Sequence, residues 1–129
     1  MWTSLKVKEI MTKNPIVSTG KTPIAQIEEI FRKHKIWSVL IEDSQKDGIG
    51  IITKSDLKRR IKNKNSTPAY AIMSKNFVSV DPDDDVERAK ALLYEKNVNG
   101  LPVIKNGKFC GILTRYPTFR RTPSRNNNF

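Results

Sequence analysis

The chain has 129 residues, with 24 Lys and Arg against 13 Asp and Glu, a formal net charge of +11 and a single cysteine, Cys110. That length suits one compact domain or two half-domains sharing a core, and one cysteine excludes an intrachain disulfide framework, in keeping with a reducing compartment. Apolar runs such as Val39-Leu40-Ile41 fall far short of the roughly 20 residues that span a bilayer, and Met1 to Leu5 leads into no signal-type apolar stretch, so a soluble, cytoplasmic protein is expected.

In chain order, Ile10-Met11-Thr12-Lys13-Asn14 opens a pattern that returns as Ile72-Met73-Ser74-Lys75-Asn76, and Gly50-Ile51-Ile52-Thr53 returns as Gly111-Ile112-Leu113-Thr114. Such self-similarity at a fixed spacing identifies a repeat architecture. Each copy reads as an extended entry segment, a short strand, a helix, a two-stranded hairpin and a second helix. In the first copy Ile16-Val17-Ser18 is the strand. Ile24, Ile27, Ile30 and Phe31 have the three-and-four spacing of a helix face, with Thr22 as its cap and Pro23 as its first helical residue. Arg32, Lys33, His34 and Lys35 suit that helix's carbonyl end.

Ser38 to Ile41 and Gly48 to Ile52 follow as strands around a turn at Asp43 to Asp47, and a second helix is expected through Leu57 and Ile61. Residues 63–68 are polar, contain proline and read as a linker. In the second copy, the run Asp81-Pro82-Asp83-Asp84-Asp85 starts a helix carrying Val86, Ala89, Leu92 and Leu93. Those carboxylates are accounted for by a helix start, so no metal site is assigned to them. Asn106-Gly107 between Val103-Ile104 and Phe109 to Leu113 is a strong hairpin signal. Cys110 then reads as a small apolar strand residue. From 122 to 129 the sequence has almost nothing to bury and reads as a disordered basic tail.

These motifs, in this order and twice over, resemble the cystathionine-β-synthase-type (CBS) domain, and the pair resembles the tandem arrangement called a Bateman module. The residues carrying the resemblance are Ile10 to Pro15, the helix from Ile24, Ile36 to Ile41 and Gly50 to Asp56. Their counterparts are Ile72 to Asn76, the helix from Val86, Val98 to Ile104 and Gly111 to Arg115. The implied fold is α+β, with two β-α-β-β-α repeats, 1–62 and 69–121, packed about a pseudo-twofold axis. The implied function is a stand-alone regulatory module that binds AMP, ADP, ATP or S-adenosylmethionine in the cleft between repeats, pairs into a homodimer and signals to an effector protein. No cofactor is required.

The resemblance assigns Thr53, Lys54, Asp56, Val78, Ser79, Asn99, Gly100 and Leu101 to a first site, with Asp56 on the ribose hydroxyls. Physical chemistry leaves two readings of Thr53-x-x-Asp56 open: a capping box that starts a helix, or a phosphate- and ribose-binding junction that uses unpaired helix amides. Relatives often carry basic residues where Asn99 and Gly100 stand, so a nucleoside or monophosphate suits this site better than a polyphosphate. A second site would use Ile16, Val17, Trp37, Ser38, Val39, Thr114 and Arg115. It is degenerate, because Pro117 replaces the ribose-binding carboxylate.

Catalysis is not expected. The one histidine, His34, belongs to a helix end, and no nucleophile, base and orienting group can be assembled. The alternatives are a ligand-free interaction scaffold, or a nucleic-acid-associated protein that uses the basic run Lys54 to Lys64 and the arginines and aromatics after Arg115.

Overall fold

A computed structural model describes residues 5–43 and 48–115. The turn expected at Asp43 to Asp47 falls mostly outside that range, and Pro117 and the tail fall wholly outside it. The elements are α1 (Val7–Ile10), β1 (Thr12–Lys13), β2 (Val17–Thr19), α2 (Ile24–Lys33), β3 (Ser38–Asp43), β4 (Gly48–Thr53), α3 (Lys54–Leu57), a 3-10 turn at Ala69–Ala71, α4 (Val86–Glu95), β5 (Gly100–Lys105) and β6 (Lys108–Thr114). They form two three-stranded sheets, β2-β3-β4 and β1-β6-β5. The fold is α+β, as expected.

Two compact units result, and they interleave the two sequence copies. Among the described residues, unit 1 holds 5–14, 79–105 and 110–115, and unit 2 holds 15–43, 48–78 and 106–109. Unit 1 therefore joins the first copy's entry segment to the second copy's body, and unit 2 does the converse.

The repeated motifs explain why. In unit 1, β1 pairs antiparallel with β6, Thr12 opposite Ile112 and Lys13 opposite Gly111. A Cβ on Gly111 would lie 2.5 Å from the Met11 sulfur and 2.8 Å from the Thr12 carbonyl oxygen. In unit 2, Ile51 bridges Ser74, and a Cβ on Gly50 would lie 2.6 Å from the Met73 sulfur. Each glycine thus admits the methionine segment of the other copy, a close approach that a side chain would block.

Helix starts follow the same exchange. Pro23, not Thr22, is the N-cap of α2 and supplies no side-chain bond; the Thr22 hydroxyl lies 3.2 Å from that of Thr19. The amides of Ile24 and Ala25 instead donate to the carbonyls of Thr67 and Lys64, at 2.9 and 3.0 Å. The polar segment 63–68 thereby meets the demand that every helix start makes for acceptors. In unit 1 the Val86 amide of α4 donates to the Leu5 carbonyl at 2.9 Å, while Asp85 caps the helix by accepting from the Glu87 amide at 2.8 Å.

The core of unit 2 is Ile24, Ile27, Phe31, Val39, Ile41, Ile52 and Ala69, with Ile36, Leu57, Ile61, Ile72 and Met73 packed against it. Val7, Val80, Val86, Ala89, Leu93, Leu101, Pro102, Val103 and Leu113 are among the buried apolar residues of unit 1. Asn106 and Gly107 both have positive φ, 53° and 78°, which suits the tight hairpin turn expected there.

Two expected elements are shorter than the sequence suggests. The strand of the second copy is a one-residue bridge, Val80 to Val103, because Pro82 follows and lacks an amide to extend the ladder. The second helix of the first copy, expected to run through Ile61, stops at Leu57. Continued as a helix, Lys54, Lys58 and Lys62 would stack at four-residue spacing on one face, where like charges repel. The chain instead turns with i,i+3 bonds, Lys58 to Ser55 at 3.2 Å and Arg59 to Asp56 at 3.3 Å.

Candidate functional site

Thr53 ends β4 and Asp56 lies in the single turn of α3. The Thr53 amide donates to Asp56 Oδ2 at 2.8 Å and its hydroxyl to the same oxygen at 3.1 Å. The capping box is therefore formed, and it occupies one carboxylate oxygen. Among the described residues no donor reaches Asp56 Oδ1. Asp56 is half-buried and Lys54 exposed. The two readings of this motif are thus compatible: one oxygen holds the turn while the other remains available to a hydroxyl. α3 is a single four-residue turn, Lys54–Leu57.

The remaining first-site residues divide between the units. Val78 is half-buried in unit 2; in unit 1, Ser79 and Asn99 are exposed while Gly100 and Leu101 are buried on β5. Of the second-site residues, Ile16, Val17, Trp37, Ser38 and Val39 belong to unit 2, and Thr114 and Arg115 to unit 1.

Within each unit, residues assigned to different sites are neighbours. Ser38 of the second site pairs across β3 and β4 with Thr53 of the first. The Arg115 amide donates to the Asn99 carbonyl at 2.7 Å.

Arg115 is less available to an anion than its charge suggests. Its guanidinium lies 4.4 Å from the centre of the Tyr94 ring, a cation–π contact, and Nη1 donates to Asn97 Oδ1 at 3.4 Å. Sequence reasoning missed both partners. Asn97 carries the available signal, an asparagine just past a helix end, where it adopts φ 53°. Trp37 Nε1 and Ser38 Oγ are buried and have no hydrogen-bond partner among the described residues. Such unmet donors cost about 1–3 kcal/mol each.

Elsewhere, the acidic run of the second copy is bound up in local contacts. Asp81 and Asp84 accept from the amides of Asp83 and Asp81, each at 2.9 Å. Lys8 reaches Asp83 at 3.0 Å, and Lys105 reaches Asp83 and Asp81 at 3.4 and 3.6 Å. The hydrogen bond and charge of Lys8, then those of Lys105, hold the Asp83 carboxyl below its ordinary 3.8. Asp81 and Asp83 raise Lys105 in return. Burial, then the charge of Asp81, pushes the Cys110 thiol up, and its Sγ lies 3.4 Å from the Val103 carbonyl, as suits a packed strand residue.

Two like repeats, each a small sheet with helices and each fitted to the other's entry segment, define a tandem domain pair. The family model of the CBS domain matches residues 7–63 and 69–116, and the chain belongs to that family. An uncharacterised protein of Methanopyrus kandleri is 33% identical over 116 residues; the match covers 86% of this chain and 59% of that protein. The L-aspartate semialdehyde sulfurtransferase of Methanocaldococcus jannaschii is 28% identical over 109 residues, covering 84% of this chain but only 21% of the enzyme. Among solved structures, a CBS domain pair in complex with 5′-methylthioadenosine and S-adenosyl-L-methionine is 27% identical, with a TM-score of 0.73 over 88% of this chain and 91% of that one. No helix among the described residues is long and apolar enough to cross a membrane.

Proposed function

We propose that this chain is a cytoplasmic regulatory module that binds an adenosyl-bearing small molecule and passes the bound state to an effector protein, acting as a homodimer. The observation that carries the reading is the Thr53–Asp56 junction, where the turn is capped through Oδ2 and Oδ1 keeps its acceptor capacity. A carboxylate oxygen so placed accepts from a ribose hydroxyl, a charge-assisted bond stronger than a neutral one. The solved relative with 5′-methylthioadenosine and S-adenosylmethionine supports the ligand class. Lys54 is the one cation assigned to the first site, which favours AMP and adenosyl thioethers over ADP and ATP.

Of the remaining first-site residues, Val78 lies in the same unit as Asp56. The second site has Pro117 where the carboxylate would be, so it takes no ribose there; its donors are Trp37 Nε1 and Ser38 Oγ. Regulation requires the ligand to prefer one arrangement of the protein, since equal affinity for two states shifts neither.

The test is Asp56→Asn, which keeps an acceptor for the Thr53 amide but removes the charge. Expected is at least a tenfold loss of affinity for 5′-methylthioadenosine, about 1.4 kcal/mol, measured by ligand-induced thermal shift. An unchanged shift would discard the site.

A further inference from the structure

The net charge is not spread over the molecule. Among the described residues, unit 2 carries twelve Lys and Arg against five Asp and Glu, whereas unit 1 carries eight against seven. In unit 1 the Lys8, Lys105, Asp81 and Asp83 side chains neutralise one another. In unit 2 only Arg32 and Lys64 are ion-paired among the described residues, with Glu29 and Glu28.

The surplus concentrates at residues 54–62. Lys54, Lys58, Arg59, Arg60 and Lys62 are all exposed, and none makes a salt bridge among the described residues. Asp56 is the one carboxylate in this stretch. A net charge of +4 over nine residues raises the local potential and favours an anionic partner.

The apolar residues of the same stretch decide which partner. Leu57 and Ile61 pack against the core of unit 2, so the patch offers no side chain to insert into a bilayer and none of the apolar anchors on which protein interfaces depend. What remains is a cluster of exposed charge in the sequence, and Arg59 and Arg60 add planar forks suited to phosphate. A nucleic-acid backbone needs no more than that for sequence-independent binding.

We propose that the basic segment 54–62 of unit 2 binds the phosphate backbone of nucleic acid without reading sequence. Four phosphate contacts on duplex DNA give a salt slope of about −3.6, or roughly a 10²-fold loss of affinity between 50 and 200 mM salt.

The experiment is fluorescence anisotropy of the full chain with labelled single-stranded RNA and with duplex DNA across that salt range. Arg59→Glu with Arg60→Glu is compared with Arg88→Glu and Lys90→Glu, an equal charge change on exposed residues of unit 1. Expected is at least a tenfold loss for the unit 2 pair and less than threefold for the unit 1 pair. Equal losses would mean that net charge alone is at work and would overturn the proposal. So would salt-independent binding, loss confined to substitution of Arg120, Arg121 and Arg125, competition by polyglutamate as strong as by RNA, or tighter binding to phosphatidylserine vesicles. Both variant pairs leave Thr53, Lys54 and Asp56 intact, so an unchanged shift with 5′-methylthioadenosine separates this outcome from that of the nucleotide site.

Discussion

Unit 1 and unit 2 have the same frame and different surfaces. Each fits a methionine segment from one copy against a glycine strand from the other, and the long helix of each takes carbonyl acceptors from outside its own copy's body, Leu5 in unit 1 and the 63–68 linker in unit 2. Yet unit 1 nearly balances its charges among the described residues while unit 2 leaves its basic run without ion pairs, and Asp56 of unit 2 has only Pro117 as its sequence counterpart. Duplication conserves what the backbone needs; the side chains that face solvent or ligand are free to diverge. The asymmetry is therefore where function is to be sought.

The comparison breaks first in the core. Ile27 and Ala89 occupy corresponding positions of α2 and α4, 0% and 2% exposed. Ile27→Ala should cost about 2–5 kcal/mol by leaving a cavity, and Ala89→Ile about 1–3 kcal/mol by overpacking. Denaturant unfolding checks both; an Ile27→Ala cost below about 1 kcal/mol would mean that unit 2 closes around the gap.

Smaller effects come from the helix starts. Asp85 caps α4 through its side chain and should lose about 1 kcal/mol on change to Ala. Thr22→Ala should have little effect, because α2 takes its acceptors from Thr67 and Lys64. Equal melting-temperature losses for the two variants would contradict this difference in capping.

Smallest is the pH response of the surface charge cluster in unit 1. Asp83 is depressed by Lys8 and Lys105, so its contribution is present above the unfolded carboxyl value near 3.8 and fades as pH falls through the lower folded value. Lys105 is raised, so its contribution holds below 10.5 and is lost only as pH rises through a folded value above that. Asp83→Asn should flatten the acid limb of a stability-against-pH curve and leave the neutral region nearly level.

Much of this was legible in the sequence, since apolar spacing located α2 and α4 and Asn106-Gly107 located a turn. The capping box at Thr53 and Asp56 was also legible, as one of two readings. What the sequence hid depends on contacts distant along the chain: that residues 63–68 cap α2, that Met11 and Met73 fill the space left by Gly111 and Gly50, and that Arg115 is held by Tyr94 and Asn97. The early end of α3 was misread because the apolar spacing of Leu57 and Ile61 suits a helix, while the lysines at 54, 58 and 62 oppose one.

In the proposed function Asp56, without a counterpart, confines ribose recognition to one site per chain. Isothermal titration of 5′-methylthioadenosine into the full protein tests it most directly. The expected result is one molecule bound per chain, with binding lost in Asp56→Asn; two equivalent sites per chain, or a variant that binds as the parent does, would contradict it.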